Sequence, residues 1–215
     1  YDDVAEISPK DLELIAFEFS NEEYRHLFGA EPTGIEKPYP PFQSAWIRPS
    51  FEINGIAGGY AGEGFKTVIP AQATAKISCR LVPNQDPKQI GELIASFFKK
   101  AAPPGIEVEV HVHPGTGTAV RTSASAPVVK AVAQAYAENL SAPCKFIFEG
   151  ASIPIVAELQ KACTGEVVLF GFGLPDDNIH APNEHFGINR LKLGFLTMIR
   201  SLELFGASVR DAGTR

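Results

Sequence analysis

Five histidines are the first residues to weigh for chemistry. His180 lies in a polar loop, LPDDNIHAPNE (174–184), that follows the apolar run EVVLFGFG (166–173). In layered α/β sheets, ligands gather where loops leave the carboxyl ends of strands. His180 is therefore either a ligand-binding histidine or a loop histidine held by Asp176 or Asp177. His111 and His113 are two apart in IEVEVHVH (106–113) and would share one strand face. Such a pair can ligate a metal, but two exposed strand histidines are the commoner case. His26 reads as a surface residue of a helix, and His185 carries no special signal.

Three further segments have chemical potential. FEGASIPI (148–155) runs through small residues into a helix, so Glu149 and Ser152 would stand at a helix start. Free N–H groups there suit an anion or oxyanion; the plainer alternative is a helix cap by Ser152. No partner base marks Ser152 as a nucleophile. GGYAGEGFKT (58–67) is glycine-rich but lacks the Gly-Lys-Ser/Thr ending of a phosphate loop, so it reads as a strand connection. Arg80 is either a solvated arginine or a bidentate clamp for a carboxylate.

The elements that would position these groups fall into two textures. Residues 8–28 predict a helix capped by Ser8 and stopped by Gly29. Residues 30–50 are proline-rich and predict a long irregular connection. Residues 50–60 and 72–83 alternate like strands, with Ala75, Ile77, Cys79 and Leu81 on one face and Lys76, Ser78 and Arg80 on the other. Asp86, Pro87 and Gln89 open a helix in capping-box style, and IEVEVHVH adds a third strand. This part reads as α+β, an antiparallel sheet with helices on one face. After about residue 117 helices over 125–140, 152–162 and 189–206 alternate with short apolar strands at 146–148 and 166–173. That is the pattern of a layered α/β domain.

Composition bounds the function. The chain has 215 residues, 45% hydrophobic and 20% charged, which is ordinary globular usage. The net charge is −6, and the first 40 residues hold ten acids against three bases. The balanced remainder has no basic stripe, which argues against nucleic acid as a partner. No apolar run is long enough for a membrane span. Cys79, Cys144 and Cys163 are too scattered for a disulfide framework or a four-thiolate zinc site, and suit a reducing, cytoplasmic setting. The chain begins at Tyr1 and its only methionine is Met198, so 215 residues are expected to be less than a whole protein.

Taken in order, GFKTVIPAQATAKISCRLVPNQDP (64–87), FEGASIPI (148–155) and LFGFGLPDDNIHAPNE (169–184) resemble the zinc-dependent metallopeptidase family of carnosine dipeptidases, Cys-Gly dipeptidases and succinyl-diaminopimelate desuccinylases. The resemblance covers most of residues 50–206, and the dipeptidase branch is nearest. It implies a lid or dimerisation domain over residues 1–116 and the C-terminal part of a two-metal catalytic domain over 117–215. It implies His180 as a zinc ligand, Arg80 as the binder of the substrate carboxylate, and Thr67 as a lid residue reaching the partner subunit's active site. Glu149, Gly150 and Ser152 match the substrate-binding turn. Phe148 and Ala151 depart from the branch, which usually has Arg and Gly there. The lid's substrate-facing histidine would align with Pro114, beside His113.

The resemblance further implies two zinc ions per active site, with manganese an alternative, a short peptide as substrate and a homodimer formed through the lid. The remaining metal ligands and the glutamate that serves as general base would lie N-terminal to Tyr1. The chain alone is thus expected to be catalytically inactive. The rival readings are a related aminoacylase or carboxypeptidase acting on N-acyl amino acids, and a non-catalytic dimerisation or binding module.

Overall fold

The strand-like alternation of residues 50–60 and 72–83 yields an antiparallel pair, β1 (Ser50–Gly58) and β2 (Ala73–Arg80). Phe51 faces Cys79 and Ile53 faces Ile77, and the register then shifts so that Gly55 faces Lys76 and Ile56 faces Ala75. The shift is a bulge at Asn54. Side chains alternate with period two, so without the extra residue Gly55 would take the apolar face. The bulge puts Ile56 there instead, in line with Phe51 and Ile53. The opposite face carries Glu52 and Ser78, whose hydroxyl donates to Glu52 at 3.4 Å.

Helix α4 (Pro87–Ala101) follows β2 and touches the apolar face through Phe98, 6.4 Å from Phe51 between ring centres, while Ile53 and Ile56 on that face stay exposed. Asp86 caps it as the sequence predicts: its carboxylate accepts from the Gln89 N–H at 2.8 Å. Gly91 lies on this helix where a Cβ would come within 3.0 Å of Val112. The strand expected over 106–113 therefore packs on α4, with Val108 and Val110 half-buried and Glu107, Glu109 and His111 exposed. It forms no strand ladder among the described residues. Alternation fixes which side chains turn inward, whereas a ladder needs a hydrogen-bonding neighbour.

The computed structural model describes residues 1–15, 20–33, 36–37, 39–114, 117–149, 153–163 and 165–213. Two predicted elements differ from what is found. The helix expected over 8–28 is two helices, α1 (Pro9–Leu14) and α2 (Asn21–Phe28). Ser20 is the reason for the second start. Its backbone is extended and its side chain and that of Glu23 form a reciprocal capping box. The irregular connection expected over 30–50 contains a helix, α3 (Pro41–Ile47), because proline is well placed in a first turn. Ile47 on α3 is buried, and Arg48 after it pairs with Glu36 and lies over the rings of Tyr1 and Tyr39.

The chain separates into two compact units. The first comprises Tyr1–Ser8, Ala16–Val120 and Phe148–Pro154, and holds the sheet and α2–α4. The second comprises Pro9–Ile15, Arg121–Ile147 and Ile155–Arg215. Its core is the pairing of α5 (Pro127–Leu140) with α7 (Ile188–Gly213). Val129, Val132, Ala135 and Thr197 are buried there. The Asn139 amide donates to the Thr197 hydroxyl at 3.1 Å, and Arg200 pairs with Glu138 at 2.6 Å. Helix α6 (Ile155–Cys163) is shorter than the 152–162 expectation at its start, part of which lies outside the described residues. The expected strands at 146–148 and 166–173 are likewise without ladders among the described residues.

Candidate functional site

The apolar run 166–173 is held by the helices of its unit. The Thr122 hydroxyl donates to the Val167 carbonyl, and the Tyr136 hydroxyl on α5 donates to the Gly171 carbonyl at 2.5 Å. The Tyr136 ring stacks on Phe172 with centres 5.0 Å apart and planes 5° apart, and meets Phe170 edge-on at 6.1 Å. Burial, with a smaller contribution from Cys144, pushes the Tyr136 phenol up to about 12. On the other side Phe172 touches α7 at Gly194, where a Cβ would fall 3.0 Å from the ring.

This seating delivers the chain into the histidine loop. Pro175–Asp177 form a short 3-10 turn, and Asp177 is 2% exposed. Its carboxylate accepts from the Leu174 N–H at 2.8 Å and from Arg190 of α7 through both oxygens, one at 2.6 Å. Arg190 also donates to the Phe172 carbonyl at 2.8 Å, and its guanidinium lies 4.4 Å from the Phe186 ring centre. The Arg190 guanidinium first, and the Leu174 amide second, hold the Asp177 carboxyl at about 2, below its ordinary 3.8, against the opposing effect of burial. Charge-assisted, bidentate pairs of this kind are among the strongest hydrogen bonds in proteins.

His180 projects from this loop into solvent, with its backbone in the left-handed region at φ +63°. Its N–H lies 3.4 Å from the Glu184 carboxylate. Asp177, one of the two acids considered for holding His180, is instead committed to Arg190. His185 is fixed by its N–H donating to the Asp177 carbonyl at 3.0 Å. Among the described residues no group of three or more His, Cys, Asp or Glu side chains could hold a metal ion. A catalytic zinc takes about three protein ligands plus an open position. The described residues therefore do not by themselves make up a complete metal centre.

The other candidates are placed as follows. Thr67 lies in the exposed loop between β1 and β2, and Arg80 is the exposed last residue of β2, opposite Ser50. Thr67 lies in the loop that leads into the start of β2, whereas Arg80 ends that strand. Glu149 is exposed, and Gly150 and Ser152 lie outside the described residues. His111 and His113 are both exposed, and His111 Nε2 lies 3.1 Å from Glu109. Arg190 and the hydroxyl of Tyr136 carry no sequence signal. They act across 13 and 35 residues, distances that no local periodicity reports. The three cysteines are free thiols, and no described helix is long and apolar enough to cross a membrane.

Comparison with known proteins supplies the context for these placements. Residues 11–106 match the peptidase dimerisation domain family. The chain is 31% identical over 212 residues to the Cys-Gly metallodipeptidase DUG1 of Candida albicans, covering 96% of this chain and 43% of that protein. It is 28% identical to the human Beta-Ala-His dipeptidase, covering 88% of this chain and 38% of that one. Among solved structures, an M20 family metallo-carboxypeptidase from Sulfolobus solfataricus superposes with a TM-score of 0.81 at 30% identity, over 95% of this chain and 47% of the other. The yeast dipeptidase Dug1p superposes with a TM-score of 0.72 at 27% identity, over 95% of this chain and 43% of that one, and the expected fold class, α+β followed by part of a layered α/β domain, agrees with both superpositions. The chain spans less than half the length of the relatives it matches, and over nearly all of its own length it is similar to M20 family metallopeptidases, with the match to the peptidase dimerisation domain confined to residues 11–106.

Proposed function

We propose that this chain is part of a metal-dependent peptidase that hydrolyses short peptides, dipeptides foremost. Residues 1–116 serve as the lid through which two copies dimerise, and residues 117–215 form the C-terminal part of the catalytic domain. The observation that carries the reading is the similarity, 31% identity over 96% of the chain, to a Cys-Gly metallodipeptidase. The solvent-facing His180 on a tightly tied loop supports it further. In this reading His180 is one ligand of a divalent metal, zinc or manganese, in a cytoplasmic enzyme. The other ligands and the general base come from the portion of the relatives that this chain does not match.

The substrate would be gripped by small contacts from several elements. Arg80 pairs with its carboxylate, and Glu149 meets a free amino terminus at the turn that includes Gly150 and Ser152. Thr67 reaches the active site of the partner subunit. The test is the full gene product assayed on dipeptides with Mn²⁺ or Zn²⁺. Hydrolysis that His180→Ala abolishes is expected, with no turnover by the 215-residue chain alone. Absence of activity in the gene product, or full activity after His180→Ala, refutes the assignment. A second reading is a carboxypeptidase, favoured by the TM-score of 0.81 to the Sulfolobus enzyme against 0.72 for the yeast dipeptidase Dug1p. Release of C-terminal residues from longer peptides in the same assay separates the two.

A further inference from the structure

The loop over 174–187 holds its histidine in an uncommon conformation. Asn178, His180 and Asn183 all have left-handed backbone, at φ +54°, +63° and +64°. Asn and His enter this region more readily than most residues, yet it stays a minority conformation for both. Such geometry persists where the surroundings over-determine it, and it clusters at functional positions.

The surroundings here converge on one guanidinium. Arg190 binds the Phe172 carbonyl before the loop, the Asp177 carboxylate near its start, and the Phe186 ring near its end. Asp177 extends the same grip, accepting the Leu174 N–H on its carboxylate and the His185 N–H on its carbonyl. Contacts made before and after His180 thus share a single ion pair, which the Arg190 and Asp177 side chains bury at 13% and 3% exposure. The turn around His180 also has backbone bonds of its own, from the Ala181 N–H to the Asn178 carbonyl at 2.8 Å and from the Glu184 N–H to the Ala181 carbonyl at 3.3 Å; the ion pair is what ties the two ends of the loop to α7.

We infer that Arg190, acting through Asp177, is the positioning residue of the His180 loop: it locks the left-handed turn that presents the imidazole outward. The functional meaning rests on the proposed role of His180; the structural claim stands on the contacts alone. Lysine cannot replace this arginine, because a single ammonium does not span a carboxylate and a carbonyl in one planar fork.

The experiment is amide hydrogen exchange on the full chain, comparing Arg190→Lys and Asp177→Asn with the unaltered protein. Exchange at Leu174 and His185 is expected to rise about tenfold or more in either variant, since each loses charge-assisted bonds. Amides in α5 and α7 keep their protection, and the double variant goes little beyond either single one. Unchanged exchange in the loop overturns the inference. So does an equal rise across α5 and α7, or collapse of both variants, because the pair would then serve general stability. His180→Ala, assayed in the full gene product, tests the functional reading separately. Loss of activity there with unaltered exchange in Arg190→Lys refutes the positioning role and keeps the function. Retained activity with selective loosening does the reverse.

Discussion

Replacing Gly194 by alanine sets two effects of similar size against each other. Gly194 lies inside α7, where glycine costs about 1 kcal/mol relative to alanine. By propensity alone the change would stabilise. The new Cβ, however, would lie 3.0 Å from Cδ2 and 3.1 Å from Cε2 of Phe172, well inside the ~3.5–4.0 Å at which carbon atoms attract best. Whether the ring can yield decides the sign. Phe172 is stacked on Tyr136 at 5.0 Å, flanked by Phe170 at 6.1 Å, and tethered through its carbonyl to Arg190. A ring held on that many sides does not yield, and overpacking then costs about 1–3 kcal/mol. The net expectation is a loss of about 1 kcal/mol, read as a lower urea midpoint at unchanged slope by near-UV circular dichroism. Tyr136→Leu removes the stacked ring and should make the same alanine neutral or stabilising. A gain of about 1 kcal/mol from Gly194→Ala in the unaltered protein would refute the reasoning, since it would mean that Phe172 moves freely.

Acid should loosen the histidine loop in a defined window. The folded carboxyl of Asp177 titrates at about 2, below its ordinary 3.8, so its contribution is present above about pH 4 and is lost as pH falls toward 2; Asp177→Asn should flatten that part of the acid-unfolding curve. A tyrosinate step near pH 12, followed by ultraviolet absorbance, is expected for Tyr136 and should vanish in Tyr136→Phe, which also loses about 1 kcal/mol with its hydrogen bond. Asp86→Ala should cost about 1 kcal/mol in thermal melting by removing the α4 cap. Cys163 is exposed whereas burial pushes the Cys79 thiol up, so iodoacetamide should label Cys163 first and Cys79 slowly; faster labelling of Cys79 would contradict its half-buried place on β2.

Local chemistry wrote much of this protein into its sequence. Asp86 before Pro87 marks a helix start because a cap needs only a side chain and an amide three residues on. The alternation in β2 marks its faces because successive side chains on a strand point opposite ways. The apolar stripes of α5 and α7 mark their helices for the same kind of reason, and the ordered motifs around Thr67, Glu149 and His180 carry the resemblance to metallopeptidases. The break at Ser20 and the helix at Pro41–Ile47 were legible in principle, through a capping box and a first-turn proline, but a longer apolar stripe and a proline-rich texture outweighed them.

What tertiary structure decided is whatever joins residues far apart in the chain. The bulge at Asn54 puts Ile56 on the apolar face, and only pairing with β2 makes that visible. The commitment of Asp177 to Arg190, rather than to His180, depends on where the first turn of α7 comes to rest. So does the seating of Phe172 between Tyr136 and Gly194. A carboxylate goes to the partner that can reach it in a fork and share its burial, and distance in space settles that choice where neighbourhood in sequence cannot.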